Sequence, residues 1–341
     1  MAALTARSLP PRVRRVIPFV FGAAVIVGTV AVVGAGPLLR GLQAVSPAAL
    51  LAAAVLTAVA TCAAAWRWRI VSAELGLAVS WSSAVAAYYR SQFVNTVLPG
   101  GVVGDVHRAY RQGTSSGAPA IAARAVVTER IAGQLVQVVA TVGILGALGV
   151  TVPLSVPWAK WWPAAVWVAV AVAALAAACL VIAAVSNRAR RIVRREGLLV
   201  RSVFRTPRAS LSIAAASLVV VAAHAGTFVV ACLAVGVEAS PRELVGLAMI
   251  ALAAAALPLN VGGWGPREAV SAAAFAAIGL GAGAGLAVST AFGILTFVAV
   301  LPGAAALIAP AVRASAVRTP AARVPSDRTP VVRPLPEKRA A

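Results

Sequence analysis

The chain has 341 residues, 61% of them hydrophobic and 11% charged, with a mean hydropathy of +0.93. A soluble domain carries about 25% charged residues, so this sequence lacks the polar surface to coat a globule, which excludes a pair of soluble enzyme domains and equally a disordered protein. The formal net charge of +21, from 30 basic and 9 acidic residues, does not indicate nucleic acid, because the basic residues gather between long apolar blocks and in the tails, where anionic lipid headgroups account for them.

In chain order, a basic N-terminus (residues 1–15, with Arg7, Arg12, Arg14 and Arg15) precedes an apolar block, Val16–Gly36. About 20 apolar residues cross a bilayer as a helix, so this block is read as a retained first span and not a cleaved signal. Further blocks are Ala48–Ala65, Val126–Val150, Trp161–Val185, Leu211–Gly236, Leu244–Leu257, Ala269–Leu280 and Leu286–Ala309. The second closes on Trp66-Arg67-Trp68-Arg69, read as a basic loop. Loop 186–210 holds eight arginines and is expected in the cytoplasm. The opposing loops 37–47, 151–160 and 237–243 carry only Arg40, Lys160 and Arg242. Eight crossings with both termini cytoplasmic satisfy every loop, provided segment 80–98 crosses no membrane or enters and leaves by one face. Trp158, Trp161 and Trp162 with Lys160 suit an outer interfacial anchor. Residues 16–310 are thus expected to form one all-α, polytopic membrane domain of about eight transmembrane helices plus re-entrant or broken helices. Residues 311–341, rich in Pro, Arg and Ala, are expected to be a disordered cytoplasmic tail. Cys62, Cys179 and Cys232 all lie in apolar blocks, which argues against a disulfide framework or a zinc site. No cofactor or metal is expected. The abundant alanine is read as a base-composition bias.

In lipid the information lies in polar groups where burial penalises them, and three places stand out. Within Trp81–Arg111, Tyr88, Gln92 and Asn95 share one helix face. Leu98-Pro99-Gly100-Gly101 then breaks the helix, Gly104 follows, and Asp105 suits the N-cap of a short second helix with Arg108 in its first turn. The second place is Leu257–Ala269. Pro258 stops a helix, Asn260 follows, Gly262, Gly263 and Gly265 make an open turn, and Pro266 suits the first position of the next helix. Glu268 there favours the helix dipole and Arg267 opposes it, unless something negative is bound or Arg267 merely snorkels or pairs with Glu268. The third is the stripe Arg130, Gln134, Gln137 and Thr141, one helix face about 16 Å long with Glu129 at its start. It fits either polar contacts between helices or a hydrated groove.

The two broken segments align with one gap: Leu-Pro, a glycine turn, then an arginine early in the next helix. They lie about 160 residues apart, suggesting a two-fold internal repeat, and such paired breaks point to a transporter binding site. Two helix N-termini, each with an arginine, suit an anion such as phosphate. His224, between Ser217 and Thr227, reads as an interhelical donor. Asp105 and His107, as alternate residues of a helix, do not share a face for a metal. The glycine turns are no P-loop, since no Gly-Lys-Ser/Thr follows, and Gly281, Gly283 and Gly285 suit a tight turn.

Asn95 through Asp105 with Arg108-Ala109-Tyr110, then Glu129-Arg130, then Leu257-Pro258 through Gly262-Gly263 and Arg267-Glu268, resemble the flippase-like transmembrane region of the lysylphosphatidylglycerol synthase family. The resemblance covers about residues 10–310, with Val103 where the family often has glycine and His107 where an apolar residue is usual. It implies a stand-alone bacterial cell-membrane protein without the synthase half, moving or binding phospholipids or polyprenyl-linked lipids, with relatives linked to envelope glycolipid assembly. On this reading a lipid phosphate lies between Arg108, Arg130 and Arg267, with Asp105, Glu129 and Glu268 holding the arginines and Gln134, Gln137 and Thr141 passing the headgroup. The alternative is a non-transporting subunit that docks or regulates an envelope-biosynthesis partner enzyme through loop 186–210 and the tail. An intramembrane lipid transferase ranks last, because its only candidate bases, Asp105 and Glu129, look committed to arginine. No enzymatic activity is therefore expected.

Overall fold

The computed structural model describes residues 36–98, 101–149, 194, 196, 197, 199–256 and 265–308. The expected spans Val16–Gly36 (except its last residue) and Trp161–Val185, the tryptophan anchor and the tail 311–341 lie outside the described residues. The regular structure described is helical throughout: α1 (Gly36–Gln43), α2 (Pro47–Glu74), α3 (Trp81–Val97), α4 (Val103–Ser116), α5 (Pro119–Ala147), α6 (Pro207–Val235), α7 (Pro241–Ala255), α8 (Pro266–Ala277), α9 (Ala282–Ala299) and α10 (Pro302–Ile308).

Local chemistry sets the helix starts. Proline opens α2, α5, α6, α7 and α8, a position where its missing N–H costs nothing. Ser46 Oγ accepts from Ala49 N–H at 3.2 Å and Thr206 Oγ1 from Ala209 N–H at 3.3 Å. Ser240 and Glu243 form a reciprocal capping box at α7.

Four helical runs among the described residues are long and apolar enough to cross a membrane: Pro47–Glu74, Pro119–Ala147, Pro207–Val235 and Ala282–Leu307. Three buried clusters show how they run. Val71 near the end of α2 meets Ala125 of α5 and Ile213 of α6, both near the starts of their helices. Ala64 and Trp68 meet Val126 and Tyr88. Ala49 and Ala53 at the start of α2 meet Phe228 and Cys232 of α6 and Val288 of α9. Helices α5 and α6 are therefore antiparallel to α2, and α9 is parallel to it. The α2–α6 seam is built largely of alanine: Ala49, Ala53, Ala60 and Ala64 share a face of α2 with Thr57 and Thr61, all buried. Small side chains let backbones approach where lipid supplies no hydrophobic drive. The alanine excess thus has a packing role beyond base composition.

Between the long helices lie two hairpins of short ones. Trp81 at the start of α3 packs edge-on against Trp66, 6.3 Å between ring centroids. Further along, Thr61 donates to Gln92 at 2.9 Å, and α4 returns until Gln112 donates to Ser72 at 3.4 Å. The α3–α4 pair therefore enters and leaves by the face where α2 ends. The second pair does the reverse. Leu244 of α7 and Phe275 of α8 lie in the cluster at the start of α2, while the end of α7 reaches the middle of α5 through Gln137 Nε2 to Leu252 O, 2.9 Å. At about 1.5 Å per residue, α7 and α8 are about 22 and 18 Å long, short of the roughly 30 Å hydrocarbon core.

The expected crossings Leu244–Leu257 and Ala269–Leu280 correspond to α7 and α8, neither of which is among the runs long and apolar enough to cross a membrane. Composition cannot distinguish a short span from a shorter helix when both are apolar. Segment 80–98 forms α3, which with α4 begins and ends beside the end of α2. Each half of the described chain then reads long, short, short, long (α2–α5, α6–α9), and the halves run in opposite senses. The turn before α9 centres on Gly279 and Gly281, with φ of 82° and 84°, while Gly283 and Gly285 belong to α9 itself.

Glycine decides how closely each hairpin packs. A Cβ on Gly104 would lie 2.1 Å from Ser91 O of α3, and one on Gly285 would lie 2.4 Å from Ser271 O of α8. Gly104→Ala is expected to force α3 and α4 apart and cost about 1–3 kcal/mol as overpacking does. Thermal unfolding of the detergent-solubilised protein checks this, and an unchanged midpoint would contradict the packing described.

Candidate functional site

Described residues beside both helix breaks, Gly101 and Val102 on one side and Ala256 and Gly265 on the other, line one cavity of about 1140 Å³. Its walls come from both halves: Gln92, Asn95 and Asp105 from the first hairpin, Arg67 of α2, Arg130, Gln134 and Gln137 of α5, His224 of α6, and Gly265 and Arg267 from the second hairpin. Apolar walls are supplied by residues such as Val127, Ile131, Phe292 and Phe297.

Against one wall lies a chain of charges. Glu129, with no exposed surface, accepts from two arginines. Arg67 Nε donates to Oε1 at 2.8 Å, joined by its Nη2, while Arg108 Nη2 donates to Oε2 at 3.0 Å. Arg67 Nη1 also donates to Ser217 Oγ of α6 at 2.9 Å. Arg108 Nη2 donates as well to Asp105 Oδ1 at 3.0 Å. Asp105 accepts further bonds from Ser91 Oγ at 3.0 Å and Asn95 Nδ2 at 3.1 Å, and Arg130 pairs with its Oδ2. The Arg108 guanidinium lies 4.1 Å from the Tyr88 ring centroid and 4.6 Å from that of Trp68, a cation–π contact with each ring. Arg67, Arg108 and Arg130 face two carboxylates, so the cluster carries one surplus positive charge. Arg130, its side chain 47% exposed, is the most exposed member and lines the cavity together with Arg67 and Asp105.

The second hairpin carries a smaller counterpart. Glu268 accepts from Gly265 N–H at 2.6 Å, and Gly265 has a φ of 135° that favours glycine. Arg267 Nη2 and Nε donate to Glu268 Oε1 at 2.5 and 3.1 Å, and Arg267 also reaches Ser289 Oγ at 2.9 Å and Ser289 O at 3.2 Å. Its guanidinium lies 4.9 Å from the Phe292 ring centroid. Arg267 therefore pairs with Glu268, one of the alternatives left open from sequence, and still lines the cavity.

The arrangement differs from the expected triangle of arginines. Arg130 and Arg267 line the cavity, whereas Arg108 is buried behind Asp105 and Glu129 and is not among the lining residues. Asp105 is not an N-cap: α4 begins at Val103, so Asp105 lies in its first turn, and Asn95 Oδ1 accepts the Gly104 N–H from across the hairpin at 2.7 Å. Gln92, Asn95, Gln134 and Gln137 line the cavity. Gln134 also donates to Ala256 O at 3.4 Å, so the α5 stripe caps the final carbonyls of α7 as well as facing the cavity. Thr141 is buried and not among the lining residues. The break residues Gly101, Gly104 and Gly265 are described; Pro99, Gly100, Pro258, Asn260, Gly262 and Gly263 lie outside the described residues. His224, expected to bond between helices, holds the carbonyl of Val220 in its own helix with Nδ1 at 2.8 Å and lines the cavity.

Sequence reasoning missed Arg67. It is not a loop residue: α2 continues to Glu74, turning Arg67 and Trp68 inward and Trp66 outward. The signal was present, since no glycine or proline separates Ala65 from Gly76 and the face Thr57, Thr61, Ala64, Trp68, Val71 continues unbroken. Gly133 also belongs to the site, because a Cβ there would lie 2.7 Å from Arg67 Nη1.

A family model, that of the lysylphosphatidylglycerol synthase TM region, matches residues 16–303. The chain belongs to this family. The match runs through both hairpins and the whole charge cluster, and membership accords with a membrane lipid-related role. No match was found among curated proteins or among solved structures.

Removing the carboxylate charge would strand the buried Arg67 and take one of two carboxylates from Arg108. Glu129→Gln is expected to destabilise the fold by about 3–5 kcal/mol, read as a lowered unfolding midpoint or lost monodisperse protein on size exclusion. Wild-type stability would mean that Arg67 and Arg108 do not depend on Glu129.

Proposed function

We propose that the protein binds the phosphate-bearing headgroup of an anionic phospholipid or polyprenyl-linked lipid in this cavity and passes it across a bacterial cell membrane. The observation that carries this reading is that Arg130 of α5 and Arg267 of the second hairpin, from opposite halves, line one cavity, with the surplus charge of the larger cluster on the exposed arginine. An anion there gains from both guanidinium groups and from the N-terminus of α8. Carboxamides of Gln92, Asn95, Gln134 and Gln137 offer hydrogen bonds to the rest of a headgroup, while the acyl chains remain in lipid. Arg108 becomes a supporting residue that holds Asp105 and Glu129.

Opposed hairpins that line one cavity suit alternating exposure of one site to two faces. The face where α2 ends and α6 begins is taken as cytoplasmic, with both termini on that side, because the arginines of loop 186–210 adjoin it. Asp105 and Glu129 are each held by two arginines, which favours transport over lipid-transfer chemistry needing a free base.

In liposomes carrying a labelled anionic phospholipid, Arg130→Ala and Arg267→Ala are each expected to slow translocation about tenfold or more, a loss of about 1.4 kcal/mol of stabilisation. Arg242→Ala, an exposed arginine at the start of α7, should run at the wild-type rate. Wild-type rates for both cavity variants would overturn the proposal.

A further inference from the structure

The charge cluster divides unevenly. Arg67 and Arg108 against Glu129 and Asp105 make a closed, neutral set: Glu129 has no exposed surface, and Arg108 and Asp105 are 1% and 9% exposed in their side chains. Arg130 is the fifth member and differs from the rest. Its side chain is 47% exposed, it faces the cavity, and its one ion pair is to Asp105 Oδ2. Asp105 does not depend on it, because Ser91, Asn95 and Arg108 donate to the same carboxylate. If Arg130 leaves, the four residues behind it remain neutral and Asp105 keeps three donors. If Asp105 were to leave, Arg108 would lose one of its two carboxylates in a buried place, which is the costly case.

We infer that Asp105 is a built-in stand-in for the ligand anion, and that Arg130 exchanges its carboxylate for the phosphate of a singly charged headgroup. The inference rests on the proposed lipid-binding reading of the cavity and adds a specific partner swap to it. An empty site that left Arg130 without a partner would hold a bare guanidinium, and a site that paired it permanently could not take up an anion. Asp105 resolves the conflict: it shares its carboxylate with Arg130 in the empty state, while the cluster keeps its one surplus positive charge, and it competes with the ligand. It therefore lowers affinity and assists release, as a carrier that must let go of its cargo requires. The exchange is selective for charge: a headgroup with one net negative charge cancels the surplus positive charge that the empty cluster carries, whereas a neutral one leaves Arg130 better paired where it is.

The test uses the full chain in detergent. It is titrated with short-chain phosphatidylglycerol and separately with the deacylated headgroup glycerophosphoglycerol, which separates a lipid from a free phosphodiester. Asp105→Asn is expected to tighten binding of the short-chain lipid about tenfold, and Arg130→Gln to weaken it about tenfold. Tightening with both ligands supports recognition of the phosphodiester itself, and tightening with the lipid alone supports exchange that needs the acyl chains in place. Arg130→Gln is further expected to melt within about 2 °C of wild type, since Asp105 stays satisfied. If Asp105→Asn does not fold, Arg130→Gln decides: weakened binding with unchanged melting supports the exchange, and a large fall in melting temperature overturns it. Weakened or unchanged binding in folded Asp105→Asn, beside weakened binding in Arg130→Gln, overturns the exchange and leaves the cavity reading standing. Wild-type binding in both Arg130→Gln and Arg267→Ala overturns the cavity reading itself.

Discussion

The structure turns on a single carboxylate. Glu129 is fully buried and divides its oxygens between two helices, Oε1 to Arg67 of α2 and Oε2 to Arg108 of α4, while Arg67 reaches on to Ser217 of α6. In a medium that solvates charge poorly, none of these groups can be left alone, so the register of four helices is set together. This is no claim of large net stability, since a buried pair roughly breaks even against apolar packing. Its effect is specification. The α3–α4 hairpin does not span the bilayer and has little apolar surface to hold it, and the ionic contact with the Gly104–Ser91 backbone contact fixes its depth.

The two halves use the same plan with different charge. In each, the second arm of a hairpin bears an arginine set against an aromatic ring and paired with a nearby carboxylate: Arg108 with Tyr88, Trp68 and Asp105, Arg267 with Phe292 and Glu268. The second set closes at neutrality, whereas the first also contains Arg67, Glu129 and Arg130 and does not. The asymmetry assigns the excess charge to one wall of a shared cavity. The opposite wall contributes the start of α8, whose dipole favours an anion, while the last carbonyls of α7 are occupied by Gln134 and Gln137. A cavity so arranged repels cations on one side and offers an anion two arginines of unequal freedom.

How much of this was legible in the sequence depended on what each signal measures. The Pro/Gly breaks marked both hairpins because proline and glycine act locally, and the faces Tyr88–Gln92–Asn95 and Arg130–Gln134–Gln137 followed from helical period alone. Family membership was likewise carried by short motifs at the breaks. Hydropathy marked Leu244–Leu257 and Ala269–Leu280 as spans although α7 and α8 are short, because it reports the cost of immersion and not helix length. Arg67 was lost to a rule about loops: an arginine beside tryptophans at the end of an apolar block ordinarily faces headgroups, and only its partner Glu129, 62 residues away, turns it inward. That Asp105, Glu129 and Glu268 hold arginines was legible, but the pairing of Glu129 with Arg67 was not, since it depends on which helices are neighbours.

Adjacent residues on α5 divide the labour of the site, and the geometry of a helix explains why they can. Successive side chains point about 100° apart. Glu129 can therefore face the buried arginines while Arg130, one residue on, faces Asp105 and the cavity. Glu129 fixes α5 against α2 and α4, which fixes the position of Arg130's backbone to within a side chain's reach of the hairpin tip. The freedom left to Arg130 is then confined to its own flexible stem and planar fork, which matches carboxylate and phosphate equally well. A lysine at this position would keep the charge but lose that two-pronged match, so the choice between an internal carboxylate and an external phosphate would no longer be made between near-equivalent partners. On the exchange we propose, the buried carboxylate positions the exposed cation and so governs its choice of partner.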